Sequence, residues 1–236
     1  MQAVIDQIFP DQCVLCLSNL PRREPHLCCQ YCWAALPWLG ETCLHCALPL
    51  DGGGVCGQCQ QQPLNRGWCV AALAHEREAQ FLLHRLKFQH GYREGHTLAH
   101  ALLLTLHARY ADSTWPTWII PTPLSWWGFV RRSHNQAHDL ATYLARRLNI
   151  PLHGVMHRRH GRPQRMRTAQ ERYTLSPDEF SVKTKVPAHV ALVDDVLTTG
   201  STATAITTQL YAHGARRVDI WCANRALATV PYEHAL

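Results

Sequence analysis

Residues 190–202 constrain the fold of this chain most, because they join an apolar strand to a helix through an acidic, hydroxyl-rich turn. Val190 to Val193 form an apolar run typical of a buried parallel strand, and Ala203 to Leu210 place apolar side chains at helical spacing. Two carboxylates stand between them at the carboxyl end of the strand, followed by a short polar segment, Thr198-Thr199-Gly200-Ser201-Thr202. The pattern predicts a parallel α/β sheet with a ligand-binding loop at its edge.

The residue types in this turn suit a phosphorylated sugar. Backbone N–H groups and hydroxyls can surround a dianionic phosphate at a helix N-terminus, and Gly200 permits positive φ and close approach. Asp194 and Asp195 can accept hydrogen bonds from two vicinal ribose hydroxyls, so they are the candidate catalytic carboxylates. The simpler alternative, an acidic strand end before an ordinary Ser/Thr helix cap, explains neither the paired carboxylates nor the full phosphate cradle.

Cysteine spacing predicts two metal sites near the start of the chain. Of the 11 cysteines among 236 residues, all but Cys222 precede Val70. Four C-x-x-C knuckles can each give two thiolates to one tetrahedral zinc ion. Sequential pairing gives two zinc ribbons, although crossed pairing fits the same spacing; the sequential sites are Cys13, Cys16, Cys29, Cys32 and then Cys43, Cys46, Cys56, Cys59.

Other ligand sets stay open for these knuckles. Cys28 could replace Cys29, and His26 or His45 lies close enough in sequence to substitute for a cysteine. An iron–sulfur cluster could also occupy four cysteines. Eight regularly spaced cysteines favour all-cysteine zinc sites.

The length and a hydrophobic content of 47% allow one sizeable core and a small satellite domain. We predict a double zinc ribbon over 1–65 and a second domain over 66–236. In the second domain, apolar periodicity indicates helices and strands in alternation, with helices near 76–88, 95–110 and 135–149 and strands near 118–120, 155–156 and 218–222. Such alternation predicts a mostly parallel sheet flanked by helices. Cys69 and Cys222 have no partner at ligand spacing and are expected to be buried small apolar residues.

Charge and hydropathy give weaker constraints. A formal net charge of +6 permits binding to phosphorylated ligands or nucleic acid without requiring it. Residues 1–10 lack the cationic start and long apolar run of a signal peptide, and the apolar stretch Leu98–Leu106 is too short to span a bilayer. We therefore expect a cytoplasmic protein with no membrane insertion.

Several basic and turn residues are candidates for binding a second anionic group. The turn Pro121-Thr122-Pro123 follows an apolar strand, at the sheet edge where ligands of open α/β folds gather, so it is a candidate pyrophosphate loop. A proline-rich connector fits the same local pattern. Arg131 and Arg132 can bind phosphate oxygens, or they can begin a solvated basic helix. Lys87 is a further candidate, although a lysine taken alone is more often a surface residue.

Six arginines lie between His157 and Arg172 with little apolar content. Such a segment can close over a pyrophosphate, lie along a nucleic-acid backbone or remain solvated. The candidate nucleic-acid contacts are Arg158, Arg159, Arg162 and Arg165.

Taken in order, these motifs resemble the ComF family. The resemblance rests on the four knuckles, on Leu86-Lys87-Phe88, Pro121-Thr122-Pro123 and Arg131-Arg132 before Asn135-Gln136, and on the 193–202 segment. That last segment also looks like the phosphoribosyl pyrophosphate (PRPP) loop of type I phosphoribosyltransferases. The resemblance covers nearly the whole chain and implies a double zinc ribbon joined to a type I phosphoribosyltransferase domain. It further implies handling of internalised DNA, in natural transformation or as a nutrient, with a single-stranded-DNA helicase as partner in the competence branch.

Two functions are compatible with this resemblance. In the first, PRPP binds with Mg2+, and a nucleophile that the sequence does not indicate displaces pyrophosphate from the ribose. Lys87, Arg131 and Arg132 would then stabilise the departing pyrophosphate. In the second, the protein is a catalytically silent adaptor that holds single-stranded DNA or a helicase and uses the PRPP pocket for sensing. Fold alone does not choose between them.

Overall fold

The computed structural model describes residues 11–21, 24–65, 67–124, 134–158 and 177–227. The strands in these ranges are β1 (Cys69–Ala74), β2 (Trp118–Pro121), β3 (Met156–Arg158), β4 (Phe180–Val182), β5 (His189–Leu197) and β6 (Arg217–Arg225). The helices are α1 (Gln30–Ala34), α2 (Gly57–Gln61), α3 (Arg77–Phe88), α4 (Tyr92–Arg109), α5 (Gln136–Leu148) and α6 (Ser201–Ala212).

Four parallel strands form the central sheet in the order β1-β6-β5-β2. The apolar run Val190–Val193 is fully buried, because β5 lies between β6 and β2 and is covered on both faces. Side chains alternate along each strand, so one face of the sheet packs against α3, α4 and α5 and the other against α6 and the antiparallel pair β3–β4. This confirms the predicted α/β class, with a parallel sheet flanked by helices and preceded by the cysteine-rich part.

Most predicted elements lie close to their expected bounds, and the differences have local causes. Helix α4 begins at Tyr92 rather than near residue 95, directly after a break at His90, whose φ is 51°. Strand β5 continues to Leu197, so the two carboxylates lie inside the strand. Strand β1 was missed, because its continuous apolar sequence adjoins the cysteine-rich part. Cys69 and Cys222 are fully buried in β1 and β6, as predicted.

The cysteine-rich part repeats one backbone arrangement. In the first copy, Cys13 N–H donates to the carbonyl of Ser18, and Leu17 adopts a φ of 62°. In the second copy, Cys43 N–H donates to the carbonyl of Leu48, and Ala47, which follows its C-x-x-C knuckle as Leu17 follows the first, has a φ of 54°. Each tight turn directs two thiols of one knuckle to the same side.

The cysteine-rich part is joined to the sheet along the outer edge of β1. Residues 37–39 run antiparallel to β1, with Leu39 N–H donating to Ala72 O at 3.0 Å and Ala74 N–H donating to Pro37 O at 2.8 Å. Apolar residues of the first copy, Leu20 and Leu36 among them, belong to the same core as α3 and α4. The predicted boundary at residue 65 therefore separates two parts that share a core. Among the described residues, no helix is both long and apolar enough to cross a bilayer.

Candidate functional site

Three charged side chains meet where β5 approaches its carboxyl end. Asp194 and Asp195 lie in β5, and Lys87 reaches them from the last turn of α3. Lys87 Nζ lies 2.8 Å from Asp195 Oδ2, and both side chains are largely buried. No local sequence pattern pairs this lysine with a carboxylate, because the two are brought together only by the packing of α3 at the sheet.

Asp194 is the more perturbed of the two carboxylates. Loss of water around its carboxyl group, together with the neighbouring charge of Asp195, raises the pKa of Asp194 to about 7. The main-chain N–H of Asp195 donates to Asp194 Oδ1 at 2.9 Å, and this bond and Lys87 favour the charged form only in part. An aspartate that is costly to ionise in the folded protein indicates a binding role rather than a stabilising one.

We expect Asp194→Asn to raise the thermal midpoint, and to raise it more at pH 8 than at pH 6. Because the folded-state pKa of about 7 lies above the ordinary 3.8, the unfolded chain binds fewer protons between these values and stability falls as pH rises through them. The amide removes this penalty. Circular dichroism melts at both pH values test the expectation, with Asp112→Asn, at an exposed position, as the control. A lower midpoint at pH 8 would contradict it.

The segment Thr198–Thr202, here called the phosphate loop, leads from β5 into α6. Gly200 is the N-cap of α6 with a φ of 84°, and no side chain caps the helix. In the first turn Ser201 N–H donates to Thr199 Oγ1 at 3.4 Å, and the helix dipole favours an anion at this end. The Thr199 hydroxyl donates to Ser201 Oγ at 3.1 Å, so the loop is curled before any ligand binds.

The predicted pyrophosphate turn lies beside Asp194. Pro121 pairs with Val193 in the sheet, and Thr122 N–H donates to Val193 O at 2.9 Å. The hydroxyl of Thr122 is buried beside Asp194, and its interaction with that carboxylate favours the charged form. Asn135 holds the turn in place, since its Nδ2 donates to Thr122 O at 3.0 Å while its Oδ1 caps α5.

One residue of the site was missed by sequence reasoning. Arg225, at the end of β6, is 7% exposed and donates to the carbonyls of Leu197 and Thr198 at the start of the phosphate loop. No sequence signal separated it from surface arginines, because it stands alone after an apolar strand.

Both predicted cysteine sets are assembled. In each set the four Sγ atoms all lie within 4.8 Å of one another, and the pairing is sequential, not crossed. The Sγ atoms of Cys16 and Cys29 are 3.7 Å apart and those of Cys46 and Cys56 are 3.8 Å apart. A tetrahedral zinc with Zn–S bonds of about 2.3 Å requires an S–S separation of about 3.8 Å, so the two clusters fit two structural zinc ions.

The alternative ligands lie elsewhere. Cys28 is buried outside both clusters, the ring of His26 stacks on Trp33, and Nδ1 of His45 lies 3.0 Å from Gly67 O. The set Cys13, Cys16, Cys29 and Cys32 is the first cluster below, and Cys43, Cys46, Cys56 and Cys59 is the second cluster.

Each cluster contains a thiol that ionises readily. A hydrogen bond with the Ser18 side chain lowers the pKa of Cys16 to about 6. In the second cluster, burial acts to raise the pKa of Cys43, but main-chain N–H groups of Cys56 and His45 outweigh it and lower the value to about 6. Thiolate character suits metal coordination.

The arginine candidates are placed only in part. Arg158 ends β3, where it forms an ion pair with Glu179 at 3.3 Å and lies over the ring of Phe180. Arg131, Arg132, Arg159, Arg162 and Arg165 lie outside the described residues.

These features define an α/β protein with a phosphate-type loop at its sheet edge and two cysteine clusters that fit structural zinc. The family model described as Double zinc ribbon domain matches residues 4–60. Competence protein F of Haemophilus influenzae is 33% identical over 229 residues, covering 92% of this chain and 98% of that protein. DNA utilization protein YhgH of Escherichia coli K12 is 31% identical over 225 residues, with the same two coverages of 92% and 98%.

The chain therefore belongs to the family of Competence protein F and DNA utilization protein YhgH. It also aligns with the crystal structure of purine phosphoribosyltransferase from Pyrococcus horikoshii Ot3, with a TM-score of 0.34 and 18% identity over 64% of this chain and 74% of that chain.

Proposed function

We propose that this chain binds PRPP with Mg2+ at the carboxyl edge of the sheet and transfers the phosphoribosyl group during the utilisation of DNA. The observation that carries the proposal is the juxtaposition of Asp194 and the Lys87–Asp195 pair with an uncapped helix N-terminus. A sugar bearing a phosphate at one end and vicinal hydroxyls at the other matches these two groups. The name of one relative, DNA utilization protein YhgH, supplies the link to DNA.

In the proposed complex, the phosphate loop binds the 5-phosphate through N–H groups and hydroxyls. Asp194 and Asp195 accept hydrogen bonds from the ribose hydroxyls and stabilise positive charge that develops on the ribose. Lys87 stabilises the departing pyrophosphate, and the buried hydroxyl of Thr122 lies beside Asp194. Catalysis is then electrostatic, since the groups are fixed before the charges develop.

The carboxylate pair also suits Mg2+, which takes oxygen ligands and uses one or two carboxylates together with substrate phosphates. When bound, the ion would neutralise charge on the pyrophosphate. Lys87 already balances one of the two carboxylates, so Asp194 is the carboxylate left to the metal or the ribose.

We expect the double variant Asp194→Asn, Asp195→Asn to lose PRPP binding while keeping its fold. Each lost charge-assisted hydrogen bond costs about 1.5–3 kcal/mol, so the two together remove at least about a hundredfold in affinity. Calorimetry with PRPP and Mg2+ measures this loss of affinity, and Asp51→Asn, at an exposed position, is the control. Binding at the parent affinity in the double variant would place the site elsewhere. Pyrophosphate release in the presence of nucleobase acceptors tests turnover.

Contact with DNA is proposed separately, through the arginine segment. Arg158 is already engaged by Glu179, so we assign the contact chiefly to Arg159, Arg162 and Arg165. The same calorimetry with single-stranded DNA in place of PRPP distinguishes the two ligands. The silent-adaptor alternative uses the same PRPP pocket, so PRPP-dependent release of pyrophosphate is the measurement that separates it from the enzyme. We propose a cytoplasmic location, since all eight cluster thiols must stay reduced to bind zinc.

A further inference from the structure

The guanidinium of Arg225 occupies an unusual environment for a buried cation. Among the described residues it donates only to main-chain carbonyls: its Nη1 to Leu197 O at 2.9 Å, Thr198 O at 2.6 Å and Ala226 O at 2.7 Å, and its Nε to Cys46 O at 2.7 Å. A buried charge without a carboxylate is costly unless its donors are well satisfied. The carbonyls of residues 197, 198 and 226 and of a cysteine of the second cluster satisfy them here.

These contacts fix the direction of a peptide group in the phosphate loop. The described chain has no cis peptide bond, and in a trans peptide the C=O and the following N–H point in opposite directions. Because the carbonyl of Thr198 points at Arg225, the N–H of Thr199 points away from it, out of the protein interior. That N–H is one of the donors that a phosphate at this loop requires.

The cysteine-rich part supports the same loop at a second point. A Cβ atom built on Gly200 would lie only 2.4 Å from Leu64 Cδ1, so Leu64 packs directly against the turn of the loop. Leu64 closely follows the second cluster in the chain. The second cluster is thus connected to the phosphate loop by Cys46 and Arg225, and Leu64 packs against the turn of that loop at Gly200.

We propose that Arg225 is a positioning residue that holds the phosphate loop in its anion-binding conformation and ties that conformation to the second cysteine cluster. The proposal rests on PRPP binding as the proposed function. It assigns the second cluster a part in ligand binding that the first cluster does not have. The first cluster is tied instead to α4, where Arg93 donates to Asp11 at 2.9 Å and to Gln12 O at 2.6 Å.

The test compares Arg225→Met with Arg93→Met, since each removes a guanidinium that ties one cysteine-rich copy to the α/β part. In Arg225→Met we expect faster amide hydrogen exchange over residues 197–203 without ligand, and PRPP affinity lowered about tenfold or more through loss of preorganised donors. Arg93→Met should leave both at the parent values. Arg225→Lys keeps the positive charge but loses the planar guanidinium with its several donors. The PRPP affinity of this variant should therefore fall as well.

A second pair of variants changes the cysteine clusters instead of the arginines. Cys56 and Cys29 are equivalent ligands, each the N-cap of a short helix and each partly exposed. Relative to the change over α4, faster exchange over residues 197–203 is expected in Cys56→Ser and not in Cys29→Ser, which keeps the proposal testable even if Arg225→Met does not fold.

The outcomes separate the two proposals. Parent-like exchange and PRPP affinity in folded Arg225→Met would overturn the positioning role, and recovery of parent affinity in Arg225→Lys would show that charge alone matters, which also overturns it. Failure of the parent protein to bind PRPP would instead refute the proposed function, and the ligand-free exchange measurement would still decide the role of Arg225.

Discussion

Removal of zinc is expected to unfold the α/β part together with the cysteine-rich part in one transition. The predicted boundary at residue 65 separates two domains, but the first copy contributes Leu20 and Leu36 to the core of α3 and α4. Residues 37–39 also cover the edge of β1, and Cys69 N–H donates to Leu44 O at 2.7 Å. Loss of these contacts exposes a sheet edge and part of the main core.

The expected size of the effect follows from general magnitudes. A structural zinc site contributes about 10–16 kcal/mol of apparent binding free energy, while a whole domain is stable by only about 5–15 kcal/mol. Chelation should therefore abolish the native near-ultraviolet circular dichroism signal of Trp221 and Tyr110, which lie in the α/β core. The parent protein should contain two zinc ions per chain. An α/β part that still melts at the parent temperature after chelation would show that the two parts fold separately.

The parts of this structure that sequence could predict are those governed by local spacing. The knuckles Cys13-x-x-Cys16 and Cys43-x-x-Cys46 fix their own turns, and the apolar run before Asp194 defines a buried strand. The pairing of knuckles could not be chosen from spacing, because all four have the same C-x-x-C form and any two of them can supply four thiolates to one ion. It is decided by the packing that brings Cys29 to Cys16.

The interactions that could not be predicted from the sequence join residues that lie far apart in the chain. Lys87 meets Asp195 across the interface of α3 with the sheet, and Arg225 joins Cys46 to Thr198. A basic residue with no motif around it gives no signal of such a role. For the same reason β1 was missed, since a short apolar run beside a cysteine-rich part has no periodicity of its own.

Asp219→Ala is expected to cause a large loss of stability at the sheet end opposite the phosphate loop. Asp219 is fully buried at the start of β6. Its Oδ1 accepts from Trp68 N–H at 2.7 Å and from Arg217 Nε at 2.9 Å, and its Oδ2 lies 2.7 Å from His189 Nε2 and accepts from the Tyr110 hydroxyl. Burial acts to raise the pKa of Asp219, but the hydrogen bonds from His189, Arg217 and Tyr110 outweigh it, so the pKa is lowered.

Removing this carboxylate leaves several buried donors without an acceptor, which costs about 3–5 kcal/mol for a buried charge network. For a chain of this size, that loss lowers the thermal midpoint by on the order of 10 °C. A lowered folded-state pKa makes the contribution fully present above the ordinary aspartate pKa and lost as pH falls through the folded value, so the gap between parent and variant should narrow in acid. Asp112→Ala, at an exposed position, is the matched control. A midpoint within 2 °C of the parent, a shift expected of about 1 kcal/mol or less, would mean that water or a neighbouring group replaces the carboxylate.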